Sequence, residues 1–214
     1  EISAPEGYVV DSTLNEITFT PQEQTVKVDS HSVSVHNERK TINIEFNKTF
    51  EESKYFKNNQ KATFGLYTAN AVEGLPANSL VGLMEVTGTG TYTFNNLSID
   101  GQFYIKELST GEAYSLNDSK IGVSTNFSTS GSPAQTVVVE TPIINEIKRG
   151  DHELVKVEAN SKERLEGVEF KLVAISENNG EVEVGRYTTD KDGRIIFKDL
   201  EYGNYYAQET KPLE

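Results

Sequence analysis

Lys48, Glu107 and Asn145 are polar residues that share the apolar parity of three strand-like stretches. Between residues 41 and 50, Ile42, Ile44 and Phe46 alternate with Asn43, Glu45 and Asn47. Period-2 geometry therefore aims the Lys48 side chain where the three apolar ones point. Phe103 and Ile105 share a parity with Glu107, and Ile143 and Ile147 with Asn145. A charged lysine in such a core is costly unless it is paired or neutral, and burial favours the uncharged form of an amine and of a carboxyl alike. The trio is expected to set a free amine beside a carboxylic acid and a carboxamide. Those groups can react with one another: the amine attacks the Asn145 side-chain carbonyl and ammonia leaves. Glu107 is expected to hydrogen-bond the carboxamide oxygen and to shuttle the proton. The reaction consumes its own site, so the chain turns over once and is not an enzyme in the ordinary sense. The plainer alternative has Lys48 snorkelling out at a strand end, with Glu107 and Asn145 as edge residues.

Recurrence of the set favours the chemical reading. Lys156 lies in a stretch like that around Lys48, and Tyr205, Ala207 and Glu209 repeat the parity that leads to Glu107. Phe94, Leu97, Gly101, Tyr104 and Glu107 align with Phe197, Leu200, Gly203, Tyr206 and Glu209, the glycine one residue out of step. Val33, Val35 and Asn37 repeat the parity of Ile143 and Asn145, and each asparagine precedes a glutamate and a basic pair, Arg39-Lys40 or Lys148-Arg149. Glu1 to Asn37 spans 36 positions and Glu107 to Asn145 spans 38. Internal repeats cut out of phase by the chain ends produce such a pattern.

Around these residues the chain resembles the collagen-adhesin B-type (CnaB, prealbumin-like) repeats of Gram-positive surface proteins and pilins. Leu154-Val155-Lys156-Val157-Glu158 is similar to the first-strand motif of that family, residues 165–172 (LEGVEFKL) to the second, and Thr189-Asp190-Lys191-Asp192-Gly193 to its central turn. Glu209-Thr210-Lys211-Pro212 and residues 1–8 (EISAPEGY) resemble two copies of its closing box. The middle of the chain departs from the pattern, with Glu107-Leu108-Ser109-Thr110 lacking a proline and Phe46-Asn47 preceding Lys48. The resemblance implies an all-β fold of tandem prealbumin-like, Ig-like β-sandwiches with at most one or two short helices. It also implies Lys-Asn isopeptide bonds promoted by a glutamate. Carried over, Glu107, Glu209 and Glu1 are the promoting carboxyls, and Lys48, Asn145, Lys156 and Asn37 the isopeptide partners. The division expected is residues 1–39 as closing strands of one repeat, 41–148 as a whole repeat and 150–214 as the opening of another.

Expected strands are 8–12, 16–20, 25–29 and 32–37, then 41–50, 62–67, 91–95, 102–107 and 135–147. Residues 117–133, rich in Ser, Thr, Asn and Gly, read as a long surface loop, and a short helix is possible at 50–56. The chain has 214 residues and no cysteine, so an exported β-protein of this kind must be stabilised without disulfides. By analogy with loop-closure estimates for disulfides, an amide across the 97 positions from Lys48 to Asn145 is worth about 4 to 5 kcal/mol.

Thirteen excess acidic charges repel nucleic acid and anionic membrane. No apolar run is long enough to span a bilayer. Glu1 starts inside a motif, so the chain is expected to be a fragment without its signal peptide.

No cofactor and no metal is expected: Asp190, Asp192 and Gly193 read as a hairpin turn rather than a calcium loop, and His31, His36 and His152 lack metal-ligand spacing. No nucleophile-base set or phosphate loop is evident. The function expected is a structural stalk at the outer, wall-anchored surface of a Gram-positive cell, with neighbouring repeats of the same protein as partners. Two alternatives are a module binding a host matrix protein through the 117–133 loop and a transthyretin-like carrier, the latter requiring an apolar pocket.

Overall fold

The structure is a computed structural model that describes residues 1–18, 32–127, 132–176 and 180–211. Among them it is all-β, as expected, with twelve strands and no helix. The first seven are β1 (Thr41–Phe50), β2 (Lys61–Thr68), β3 (Leu80–Thr87), β4 (Gly90–Leu97), β5 (Gly101–Thr110), β6 (Ile121–Thr125) and β7 (Ala134–Asn145). They form two sheets, β4-β1-β7 and β3-β2-β5-β6. Alternation of β-branched and aromatic residues with polar ones gives each sheet one apolar face. Ile42, Ile44, Phe46, Phe64, Leu66, Phe103 and Ile105 meet between the sheets as one core. Phe46 packs edge-on to Phe64 at 5.1 Å and stacks on Phe94 at 5.8 Å.

β1 and β7, the first and last strands of this sandwich, are neighbours and run parallel. Their register shifts between the Phe46–Val139 and Lys48–Ile143 pairs, which sets Pro142 in an irregularity where its missing N–H costs no ladder bond. Beyond it Lys48 lies beside Ile143, and Phe50 beside Asn145.

The remaining strands are β8 (Arg149–Val155), β9 (Glu169–Ser176), β10 (Gly180–Thr188), β11 (Arg194–Glu201) and β12 (Asn204–Lys211). Their sheets, β11-β8 and β10-β9-β12, enclose a second core of Val168, Phe170, Leu172, Ile195, Phe197 and Leu200. The pairings β4-β1 and β3-β2-β5 of the first sandwich recur strand for strand as β11-β8 and β10-β9-β12.

Several expectations are corrected. No helix forms at 50–56: β1 runs through Phe50, and the Ser53 hydroxyl then accepts from the backbone N–H groups of Tyr55 and Phe56, which turns the chain. Residues 117–133 are not one loop, since β6 pairs with β5. β3 was not anticipated either; Gly82 interrupts its pattern where a side chain would meet the Phe94 ring. Near the N-terminus, residues 8–12 and 32–37 form no strands; an isolated antiparallel bridge joins Tyr8 to Arg39. Val33 and Val35, expected to face inward, are exposed, because among the described residues no sheet lies against them. Residues 16–18 form no strand, while 19–20 and the strand expected at 25–29 lie outside the described residues.

Candidate functional site

Lys48, Glu107 and Asn145 are 1%, 1% and 0% exposed. β1 and β7 carry the lysine and the asparagine on adjacent strands of one sheet, two residues apart in register and on the same inward face. β5, in the opposite sheet, aims Glu107 across the core toward them.

The Asn145 side-chain Nδ2 donates to Glu107 Oε2 at 2.8 Å and to the Ser115 carbonyl at 2.6 Å. Glu107 Oε2 also accepts from the backbone N–H of Asn117 at 2.8 Å. Among the described residues Glu107 Oε1 and Asn145 Oδ1 are buried without a partner. Two unpaired oxygens in an apolar core are costly, and a catalytic role is one reason such groups persist in native structures. The expectation that Glu107 would face the carboxamide oxygen is corrected: it faces the nitrogen. The Ser115 carbonyl selects this amide orientation, because only Nδ2 can donate to it.

Lys48 Nζ donates to the carbonyls of Thr49 at 2.8 Å and Ile143 at 3.2 Å, and lies 4.0 Å from the centroid of the Phe50 ring. Loss of water lowers its pKa to about 8, against an attraction from Glu107 that raises it. At neutral pH a tenth or so of the amine is uncharged and nucleophilic, against roughly one part in several thousand for an ordinary lysine. Among the described residues Lys48 forms no ion pair. Its neighbours are carbonyls and a ring, which hold it without supplying a counter-charge at contact.

The other expected site residues fall into two pairs. Lys156 Nζ and Glu209 Oε2 form a 2.9 Å ion pair, with side chains 30% and 32% exposed. Among the described residues no strand lies on the other side of β8 in the place that β7 takes beside β1. Gly193 supports this lysine: φ is +67°, and a Cβ there would come within 2.7 Å of the Lys156 carbonyl.

Near the N-terminus Asn37 Nδ2 donates to Glu1 Oε2 at 2.6 Å and to the Val9 carbonyl at 3.0 Å, and the Asp11 N–H donates to Glu1 Oε2 at 2.8 Å. The carbonyl acceptor and the N–H donor stand eight and ten residues after the glutamate, as Ser115 and Asn117 do after Glu107. The bridge between Tyr8 and Arg39 likewise repeats the one between Tyr114 and Ile147. Glu1 and Asn37 thus reproduce the Glu107–Asn145 arrangement in exposed form, whereas among the described residues no lysine joins them.

Ser115 and Asn117 escaped the sequence reading because they act through backbone groups. Glu51 escaped it too, and its carboxylate accepts from the Ile147 N–H at 2.8 Å beside the site. Its place three residues after Lys48 is the one cue in the sequence. Among the described residues no cluster of His, Asp and Glu could hold a metal ion.

A comparison with curated protein sequences finds no match. Among solved structures, the chain is similar to the Bacillus anthracis TIE protein, with 21% identity and a TM-score of 0.66 over 99% of this chain. The match takes in 35% of that protein's chain, so the present chain spans about a third of its length. A streptococcal ancillary pilin aligns with 20% identity and a TM-score of 0.38 over 83% of this chain and 56% of its own. The C-terminal fragment of pilus adhesin SpaC from Lactobacillus rhamnosus GG aligns with 14% identity and a TM-score of 0.41 over 79% of this chain and 76% of its own. The family model SpaA, a prealbumin-like fold domain, matches residues 150–214, where the first-strand, second-strand and turn motifs lie. The resemblance to prealbumin-like domains is borne out over residues 150–214 by that match.

Proposed function

We propose that residues 41–148 are a complete prealbumin-like repeat closed by an amide between Lys48 and Asn145, with residues 1–39 and 150–214 as parts of neighbouring repeats. The Lys48 amine attacks Asn145 Cγ. The Nζ–Cγ bond forms, the Cγ–Nδ2 bond breaks, and ammonia leaves. Glu107 Oε2, already hydrogen-bonded to Nδ2, takes the proton lost by Nζ and delivers it to the departing nitrogen. Glu1 and Glu209 play the same part for Asn37 and Lys156 where a repeat is complete. One observation carries the reading: three polar side chains are sealed in one apolar core, with an amine of lowered pKa and two oxygens unpartnered.

The role of such an array is mechanical. It is a rigid stalk of a surface adhesin or pilin-like protein, outside a Gram-positive cell and anchored to its wall, with neighbouring repeats as its partners. Because β1 and β7 are parallel neighbours, tension applied at residues 41 and 145 runs along β1, across the amide and out of β7. Everything between Lys48 and Asn145 is then spared the load.

Intact-mass measurement tests the chemistry. The folded wild type is expected to be lighter by one ammonia, and Lys48→Ala, Glu107→Ala and Asn145→Ala to keep the full mass. A full mass in the folded wild type refutes the crosslink. Saturable binding to a matrix protein, lost on altering residues 117–133, would favour the host-binding role instead.

A further inference from the structure

We propose that Glu51 is a positioning residue for the Lys48–Asn145 crosslink, held by Arg149 at the head of the second sandwich. The inference rests on the crosslinking reading above and adds a residue and an inter-sandwich contact to it.

Every polar group of Glu51 ties the end of β1 to the elements around Asn145. Its N–H donates to the Asn145 carbonyl at 3.0 Å. Its carbonyl accepts from the Tyr114 hydroxyl at 3.1 Å, and its carboxylate accepts from the Ile147 N–H at 2.8 Å. Glu51 therefore grips the chain on both sides of Glu146, one residue beyond the register pair Phe50–Asn145. With Lys48 three residues upstream on the same strand, this grip sets the height of the amine relative to the carboxamide carbon. Bond formation is sensitive to that height, since a misplacement of about 1 Å costs on the order of a hundredfold in rate.

Arg149 fixes the grip in turn. Its guanidinium meets the Glu51 carboxylate through two nitrogens, at 2.5 and 3.1 Å, and donates to the Ile147 carbonyl at 3.0 Å. A planar fork on a carboxylate constrains direction as well as distance. Arg149 also lies 3.7 Å from both Asp199 and Glu201 of β11. Glu201 is buried and accepts from the Ser53 hydroxyl and the Lys54 N–H. Phe56 stands edge-on to Tyr205 at 5.3 Å and covers Gly203. The segment that follows β1 is thus seated on the second sandwich, and the seat is keyed to the residue that aligns the reacting strands. The position three residues after Lys156 is Ala159, which has no carboxylate, so the device belongs to the first sandwich alone.

The test uses cell-free synthesis of the whole chain, with samples quenched in acid over time and the fraction lacking one ammonia read by intact mass. Glu51→Ala is expected to crosslink at least about tenfold more slowly than wild type. Glu51→Gln keeps an acceptor for Ile147 and is expected to recover part of that loss, and Arg149→Ala to fall between wild type and Glu51→Ala. The Glu51→Ala pH–rate profile should keep its shape and drop in height, as expected of a group that positions and transfers no proton. Far-UV circular dichroism identifies variants that fold; should Glu51→Ala not fold, Glu51→Gln and Arg149→Ala decide. Rates within twofold of wild type in the folded variants, with the wild type crosslinking, overturn this inference and leave the crosslink standing. A wild type that retains its ammonia overturns the crosslink and this inference together.

Discussion

Under tension the wild type should be inextensible across residues 48–145, and Lys48→Ala should not. β1 has ten residues and, at 3.3 Å each, spans about 33 Å. Without the amide, parting β1 from β7 shears their ladder and then frees the rest of the sandwich. The 97 positions between Lys48 and Asn145 add roughly 330 Å of contour length at ~3.4 Å per residue. With the amide in place, only the residues from Thr41 to Lys48 remain in the load path, and they are already extended. The assay is single-molecule stretching of the chain between marker domains of known length. Lys48→Ala should show a step of about 330 Å that the wild type lacks at any force below rupture of a covalent bond. A step of that size in crosslinked wild type would refute the reasoning, because it would mean that load does not pass from Lys48 directly to Asn145.

Glu107→Gln should fold and fail to crosslink, since it keeps the shape and removes the group that moves the proton; a wild-type rate by intact mass would exclude Glu107 from proton transfer. Loss of the amide in Lys48→Ala should lower stability by about 4 to 5 kcal/mol and thermal unfolding by roughly 20 °C, read by calorimetry. In Asn145→Ala, where Lys48 stays free and buried, the folded-state lysine pKa of about 8 lies below that of the unfolded chain. The unfolded state then binds more protons between about pH 8 and 10.5, so denaturant unfolding should show stability rising with pH in that window and flat below it. Gly193→Ala should destabilise the second sandwich by 1 kcal/mol or more, given the positive φ and the contact with the Lys156 carbonyl; an unchanged midpoint would mean that the turn relaxes freely.

Alternation of side chains along a strand is a local property, and it was legible residue by residue. The burial of Lys48, Glu107 and Asn145 followed from the apolar company each keeps at i±2, and the all-β class from the same period. The Glu1–Asn37 and Lys156–Glu209 pairs were legible from repeated spacing, although their exposure was not, because burial depends on a sheet lying opposite. Period 2 does not announce partners. That β1 and β7 are parallel neighbours with Asn145 two residues beyond Lys48 follows from the sheet order and from an irregularity around Pro142, both consequences of how the two sheets pack. β3 and β6 were missed because Gly82 breaks one pattern and the Ser, Thr and Asn of a polar segment mask the other; pairing to β2 and β5 overrides those weak local preferences. Which atom of Asn145 faces Glu107 was settled by the Ser115 carbonyl, a backbone group that every residue possesses and that no sequence pattern can mark. The sequence alone determined which side chains share a face along each strand; tertiary structure alone decided which of those faces are buried, and the order, direction and distance of the groups on them, because those depend on a sheet lying opposite and on backbone hydrogen bonds between segments far apart in the chain.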